Sequence, residues 1–153
     1  QRTFNEVAEE YPGVETDYNH VDAACIYFVQ SPAQYDVIVT DNLFGDILTD
    51  LGGAVSGGIG FAASANLNPA MTGPSMFEPV HGSAPDIFGQ NISNPIGAIW
   101  AGAMMLQHLG QPDAHDSIMN AIERVLGERL SLTPDMGGKA GTTELGRAIA
   151  AAV

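Results

Sequence analysis

The chain has 153 residues, 45% of them hydrophobic, with 18 acidic residues, five Lys or Arg and a formal net charge of −13. No cation stands between Arg2 and Arg124, which argues against nucleic acid and anionic membrane surfaces as partners, because both need Lys and Arg. No run of 18 apolar residues exists to span a bilayer, and the lone Cys25 permits no disulfide framework, which fits a reducing cytoplasm.

The chain opens without Met and directly in a helical pattern, as expected of a piece of a longer protein. Residues 3–10 read as the end of a helix, stopped by YPG at 11–13. Residues 14–18 alternate like a short strand. Val21, Ala24, Cys25 and Phe28 mark a second helix that ends at Ser31 and Pro32. Ile26 and Val29 occupy its other faces, so it is expected to be buried or to sit in an interface, with Cys25 an inert buried thiol. The run DVIVT at 36–40 has the compact apolar character of a strand inside a parallel sheet. A third helix follows, with Phe44, Ile47, Leu48, Leu51 and Val55 on one face. Helix, strand, helix, strand, helix implies an α/β fold.

After Gly57 the texture changes to Gly, Pro, Ser and Asn, which sets a domain boundary there: residues 1–56 and 57–153. Helices are expected again over about 95–109, 114–126 and 143–151, the first broken by GQP at 110–112.

Two motifs carry chemistry. The run NLFGDILTD at 42–50 places Asp46 and Asp50 four residues apart on a helix, where like charges repel by about 0.2–0.5 kcal/mol. A cation between them reverses that sign, and oxygen-only ligands select Mg²⁺ or Mn²⁺ over zinc. The competing account is an ordinary helix capped by Asn42, with acids near its first turn. Asp22 opens the neighbouring helix in the same way.

The second motif is EPVHGSAPDI at 78–87. Its prolines and glycine forbid a long helix and predict a rigid exposed loop with free N–H groups at Gly82, Ser83 and Ala84. Such donors suit phosphate or ribose oxygens without side-chain charge. Asp86 is placed to accept from a ribose diol, or is simply a turn residue, and His81 is a ligand contact or a structural imidazole.

GIGFAA at 58–63 matches the dinucleotide fingerprint G-x-G-x-x-A on paper. The fingerprint needs a strand before it and a helix after it. Here a helix precedes and a loop follows, so a Rossmann reading is rejected. No nucleophile–His–carboxylate set is evident, and the calcium-loop pattern D-x-[DN]-x-[DN]-G is absent.

Taken together, NLFGDILTD at 42–50, GGIG at 57–60, EPVHGSAPDI at 78–87 and Asn94-Pro95 resemble the β-decarboxylating dehydrogenases, the family of isocitrate, 3-isopropylmalate, homoisocitrate, D-malate and tartrate dehydrogenases. The resemblance runs over essentially the whole chain. It implies the C-terminal part of a two-domain isopropylmalate dehydrogenase-like fold, with residues 1–56 ending the middle domain and 57–153 forming half of the first. It implies Mn²⁺ or Mg²⁺ on Asp46 and Asp50, with Asp22 contributed by the partner subunit of a homodimer built through helices near 21–30 and 44–56. NAD would lie against Glu78, His81, Gly82, Ser83, Ala84, Asp86, Ile87 and Asn94. NADP-using relatives carry Lys-Tyr where this chain has Asp86-Ile87, so NAD is expected over NADP. The substrate would be a 2-hydroxy dicarboxylic acid. SANLNP at 64–69, PSMF at 74–77, IFGQN at 87–91, IWAGA at 99–103 and TPDM at 133–136 lean toward D-malate or tartrate, with 3-isopropylmalate of leucine biosynthesis as the alternative.

The non-enzyme alternative is an acidic metal-binding, NAD-sensing or dimerising fragment. The family's proton-relay Lys and Tyr and its substrate-clamping arginines would lie upstream of Asp22, and no such residues stand here. Purified residues 1–153 are therefore predicted to show no oxidation of any of these hydroxy acids in an NADH absorbance assay; measurable turnover would overturn that expectation.

Overall fold

The computed structural model describes residues 1–153, which divide into two compact units, Gln1–Leu51 and Gly52–Val153. The division falls inside the third helix, a few residues before the boundary expected from composition.

In the first unit, α1 spans Arg2–Ala8, α2 spans Val21–Gln30, and α3 begins at Asn42 and runs to Val55. A single 3₁₀ turn, Pro32–Gln34, follows α2. Asp41 caps α3, its Oδ1 accepting the Phe44 N–H at 3.0 Å. Asn42, expected as the cap, instead lies inside the first turn and donates from Nδ2 to Asp46 Oδ2 at 3.0 Å. Little of this unit is buried: only Ala24 on α2 and Leu48 on α3 are fully covered. Cys25 is half-buried rather than enclosed. Ile26 and Val29 stand exposed on α2, so of the two expectations for that helix, burial fails within this chain. The Tyr35 hydroxyl is shielded from solvent without a hydrogen-bond partner. Burial pushes its pKa above the usual tyrosine value, and Tyr27 and Asp17 add to the effect.

Neither expected strand forms here. Residues 14–18 and 36–40 are irregular. A strand persists only when a neighbour takes its N–H and C=O groups, and this unit supplies none. Val37 is consequently 85% exposed and Val39 73%.

The second unit holds the core. β1 (Ala63–Asn66) and β2 (Met76–Pro79) form an antiparallel pair in which Ala63 faces Pro79 and Asn66 faces Met76. Glu78 and Pro79, expected in a loop, thus belong to β2, and the loop begins at Val80. Three helices follow: α4 (Ile96–His108), α5 (Pro112–Glu128) and α6 (Thr142–Ala152). All three match the expected helices to within two residues at either end. α4 packs against both strands and α5, and α5 packs against α6. Ile96, Ala121, Ile122, Val125, Leu145 and Ile149 form one buried cluster, flanked by Phe61, Ile99 and Trp100. α4 stops at Gly110, whose φ of +78° suits glycine, and Pro112 begins α5 where a missing N–H costs nothing.

Leu145 is fully buried in that cluster, so Leu145→Ala should cost about 2–5 kcal/mol through lost burial and a residual cavity. Phe88→Ser, at a side chain 86% exposed, should shift stability by less than about 0.5 kcal/mol. Chemical denaturation of the two variants side by side checks the contrast.

Candidate functional site

Two groups of expected site residues lie in different units. In the first unit, Asp22 sits in the first turn of α2, and Asp46 and Asp50 project from α3; all three are exposed. The Ala23 N–H donates to Asp22 Oδ1 at 2.9 Å. Thr49 Oγ1 donates to the Asp46 carbonyl, not its carboxylate. No three His, Cys, Asp or Glu side chains of this chain come close enough to hold a metal ion. Asp46 and Asp50 therefore make no metal site by themselves, and the structure does not bring Asp22 to them. The donors are all hard oxygens and no ammonium or guanidinium neutralises them, so the pair suits Mg²⁺ or Mn²⁺ once further ligands come from outside the chain.

The second unit has a cleft of about 410 Å³. Five expected cofactor residues line it: His81, Gly82, Ser83, Ala84 and Ile87. Phe88, Gly89, Asn91, Ser93 and Thr142 complete the wall. None of the ten is an acid, in a chain with 18 of them. The backbone N–H groups of Gly82, Ser83 and Ala84 have no acceptor within the chain, and Ala84 holds the left-handed conformation at φ +41°. A wall without carboxylates, bearing unspent donors, suits an anion such as a phosphate ester. His81 donates from Nδ1 to the Gly82 carbonyl at 3.0 Å, which fixes the ring's orientation. Asp86 is exposed nearby in sequence, its carbonyl accepting from Gln90 Nε2. Glu78 is exposed on β2, opposite Ser64.

Asn94 behaves differently from its expected role. It is 5% exposed. Its Oδ1 accepts the Ile96 N–H at 3.0 Å, capping α4, and its Nδ2 donates to Asp135 Oδ2 at 2.9 Å. Asp135 Oδ1 in turn accepts from Thr133, which is fully buried. The side chain of Asn94 thus makes two hydrogen bonds within the fold. Gly60 explains the false fingerprint. A Cβ there would sit 3.1 Å from Asn94 Cβ and 3.2 Å from Asp135 Oδ2, so glycine eases a close packing contact at this position. The strand β1 follows it, where the fingerprint demands a helix.

Sequence reasoning missed Asn91, Ser93 and Thr142. One signal pointed to them: α6 starts behind Gly141, which has no side chain to cap it, so its first N–H groups must find acceptors elsewhere. A larger depression of about 560 Å³, walled by Phe61, Leu126, Leu132, Met136 and Arg129 among others, contains none of the expected residues.

Residues 1–149 match the model of the isocitrate/isopropylmalate dehydrogenase family. The chain belongs to that family. It is 58% identical over its whole length to a 3-isopropylmalate dehydrogenase of Corynebacterium aurimucosum, of which it covers 43%. It is 57% identical over 94% of its length to a tartrate dehydrogenase/decarboxylase of Pseudomonas putida, covering 40% of that protein. A crystal structure of isocitrate dehydrogenase from Methylococcus capsulatus superposes on 97% of the chain with a TM-score of 0.91 and 45% identity, over 43% of that structure. The chain thus has the α/β fold of this family and spans less than half the length of these relatives.

Asp135→Ala would leave the buried Thr133 hydroxyl and the Asn94 amide without their acceptor. A loss of about 1–3 kcal/mol is expected, read as a lowered midpoint in thermal unfolding; Asp135→Asn, which keeps one acceptor oxygen, should lose less.

Proposed function

We propose that these residues are the C-terminal part of an NAD-dependent, Mn²⁺- or Mg²⁺-dependent enzyme that oxidises and decarboxylates a 2-hydroxy dicarboxylic acid. The observation that carries this reading is the cleft of residues 81–93, walled without a single carboxylate and edged by three unspent backbone donors. Family membership supports the reaction class.

In this reading Gly82, Ser83 and Ala84 offer N–H groups to phosphate oxygens, where a cation is not available to do so. Ile87 supplies an apolar wall, and Asp86 accepts from the ribose hydroxyls. Its charge also disfavours a 2′-phosphate, since like charges repel. Glu78 faces the nicotinamide side. His81 and Asn94 contact the adenosine half. Asp46 and Asp50 hold the divalent ion, with Asp22 arriving from a partner subunit. Ile26 and Val29 on α2 and Leu43 and Ile47 on α3 are exposed apolar side chains, which supports a homodimer through these helices. When bound, the nicotinamide supplies a hydride acceptor and the ion supplies Lewis-acid stabilisation of developing negative charge. A cytoplasmic location fits the cysteine usage.

The resemblance of residues 21–27 and 64–77 leans toward D-malate or tartrate as substrate. The second reading is 3-isopropylmalate, favoured by the 58% identical relative. Steady-state kinetics of the complete enzyme with all three acids decide between them.

The complete enzyme is expected to use NAD with kcat/KM at least tenfold above NADP, and to lose activity when a chelator removes the ion. Asp50→Asn should weaken Mn²⁺ binding at least tenfold by titration calorimetry. A preference for NADP would refute the Asp86 argument, and unchanged Mn²⁺ affinity would remove Asp50 from the metal site.

A further inference from the structure

The wall of the cleft that sequence reasoning missed is also the place where α6 is fastened. The Asn91 carbonyl accepts the Thr142 N–H at 2.8 Å. Asn91 Oδ1 accepts the Thr143 N–H at 3.0 Å and the Thr143 Oγ1–H at 2.8 Å. Thr142 Oγ1 donates back to the Ser93 carbonyl. Two consecutive first-turn donors of α6, at Thr142 and Thr143, are thus satisfied by one residue far upstream, Asn91, which does the work of the missing cap. Gly141 makes the approach possible: a Cβ there would lie 2.4 Å from Asn91 Nδ2 and 2.9 Å from the Asn91 carbonyl oxygen, closer than atoms tolerate. Asn91 itself is left-handed, with φ +56°, a conformation that asparagine adopts more readily than most residues. Its amide orientation follows from the chemistry, because only the oxygen can accept from two donors.

Asn91, Ser93 and Thr142 all line the cleft. The rest of its wall, residues 81–89, includes neither helix nor strand. Left alone, such a loop would have to be ordered by its ligand at the ligand's expense. α6, by contrast, is anchored in the core through Leu145 and Ile149.

We propose that Asn91 is a positioning residue for the nucleotide cleft: by clasping the N-terminus of α6 it holds residues 87–93 in the shape that receives the ligand before the ligand arrives. The proposal rests on the reading of this cleft as a nucleotide site. Its acceptor geometry requires an oxygen at this position but no amide nitrogen, since Nδ2 makes no hydrogen bond within the chain.

The test is NADH fluorescence titration of the complete enzyme carrying Asn91→Gly, Asn91→Asp or Thr143→Ala. Glycine keeps the left-handed backbone and removes the clasp, so NADH should bind about tenfold more weakly. The KM for NAD should rise by a similar factor while the KM for the hydroxy acid stays within twofold. Aspartate keeps the accepting oxygen and suits the positive end of a helix, so it should restore binding to within about threefold. Thr143→Ala, outside the cleft, removes one of the two side-chain-accepted bonds and should weaken binding about twofold to threefold; it decides the matter if the glycine variant fails to fold. Normal NADH affinity in whichever of the glycine and alanine variants folds, or an aspartate variant no better than glycine, would overturn the positioning role while leaving the nucleotide reading intact. Failure of the unaltered enzyme to bind NADH would overturn the nucleotide reading itself.

Discussion

Seven consecutive residues, 91–97, hold the second unit together. Asn91 clasps the start of α6, and Ser93 receives the Thr142 hydroxyl. Asn94 caps α4 and ties it to Asp135. Ile96 lies in the core with Leu145 and Ile149. The Gly97 N–H reaches the Gly60 carbonyl at 2.9 Å. This run thus faces the cleft at its beginning and the core at its end. Asn94 is buried and must be paired, because an orphaned donor or acceptor costs more than a formed bond returns, whereas the Asn91 bonds lie at the surface. The pairing ties the cleft wall to the core on which α4 and α6 pack.

The sequence makes the helices legible because their signals are local. Periodicity, prolines at first turns and glycines after last turns are all contained within a few residues, and α4, α5 and α6 end close to where those signals place them. Strands are a different matter. DVIVT at 36–40 reads correctly as material for a buried strand, yet a strand is a relation between segments, and no segment of the first unit takes the other half of it. The short pair β1–β2 was unreadable for the opposite reason: SAN and MFE at its centre lack the β-branched character that marks a strand.

The candidate site divides along the same line. The loop 81–87 was legible because its prolines, glycine and small residues leave few alternatives for the backbone. Thr142 and Asn91 were not, since they pair across a long stretch of chain and nothing local announces it. Asp41 displaced Asn42 as the cap of α3 by one position, a difference that frees Asn42 to brace Asp46. Gly60 shows how a motif and its meaning separate. The spacing of its glycines is that of a phosphate-binding turn, but Gly60 lies close against Asn94 and Asp135 and Gly58 takes a positive φ of +110°.

Residues 36–41 carry one more consequence. The valines of this stretch stand in solvent, and bare apolar runs of this kind template the stacking of like chains into fibrils. Asp36 and Asp41 close the run at both ends. In-register stacking of identical copies would set each of these carboxylates directly above its twin, at the roughly 4.8 Å spacing of such assemblies. Acids so placed are of the kind that oppose self-stacking.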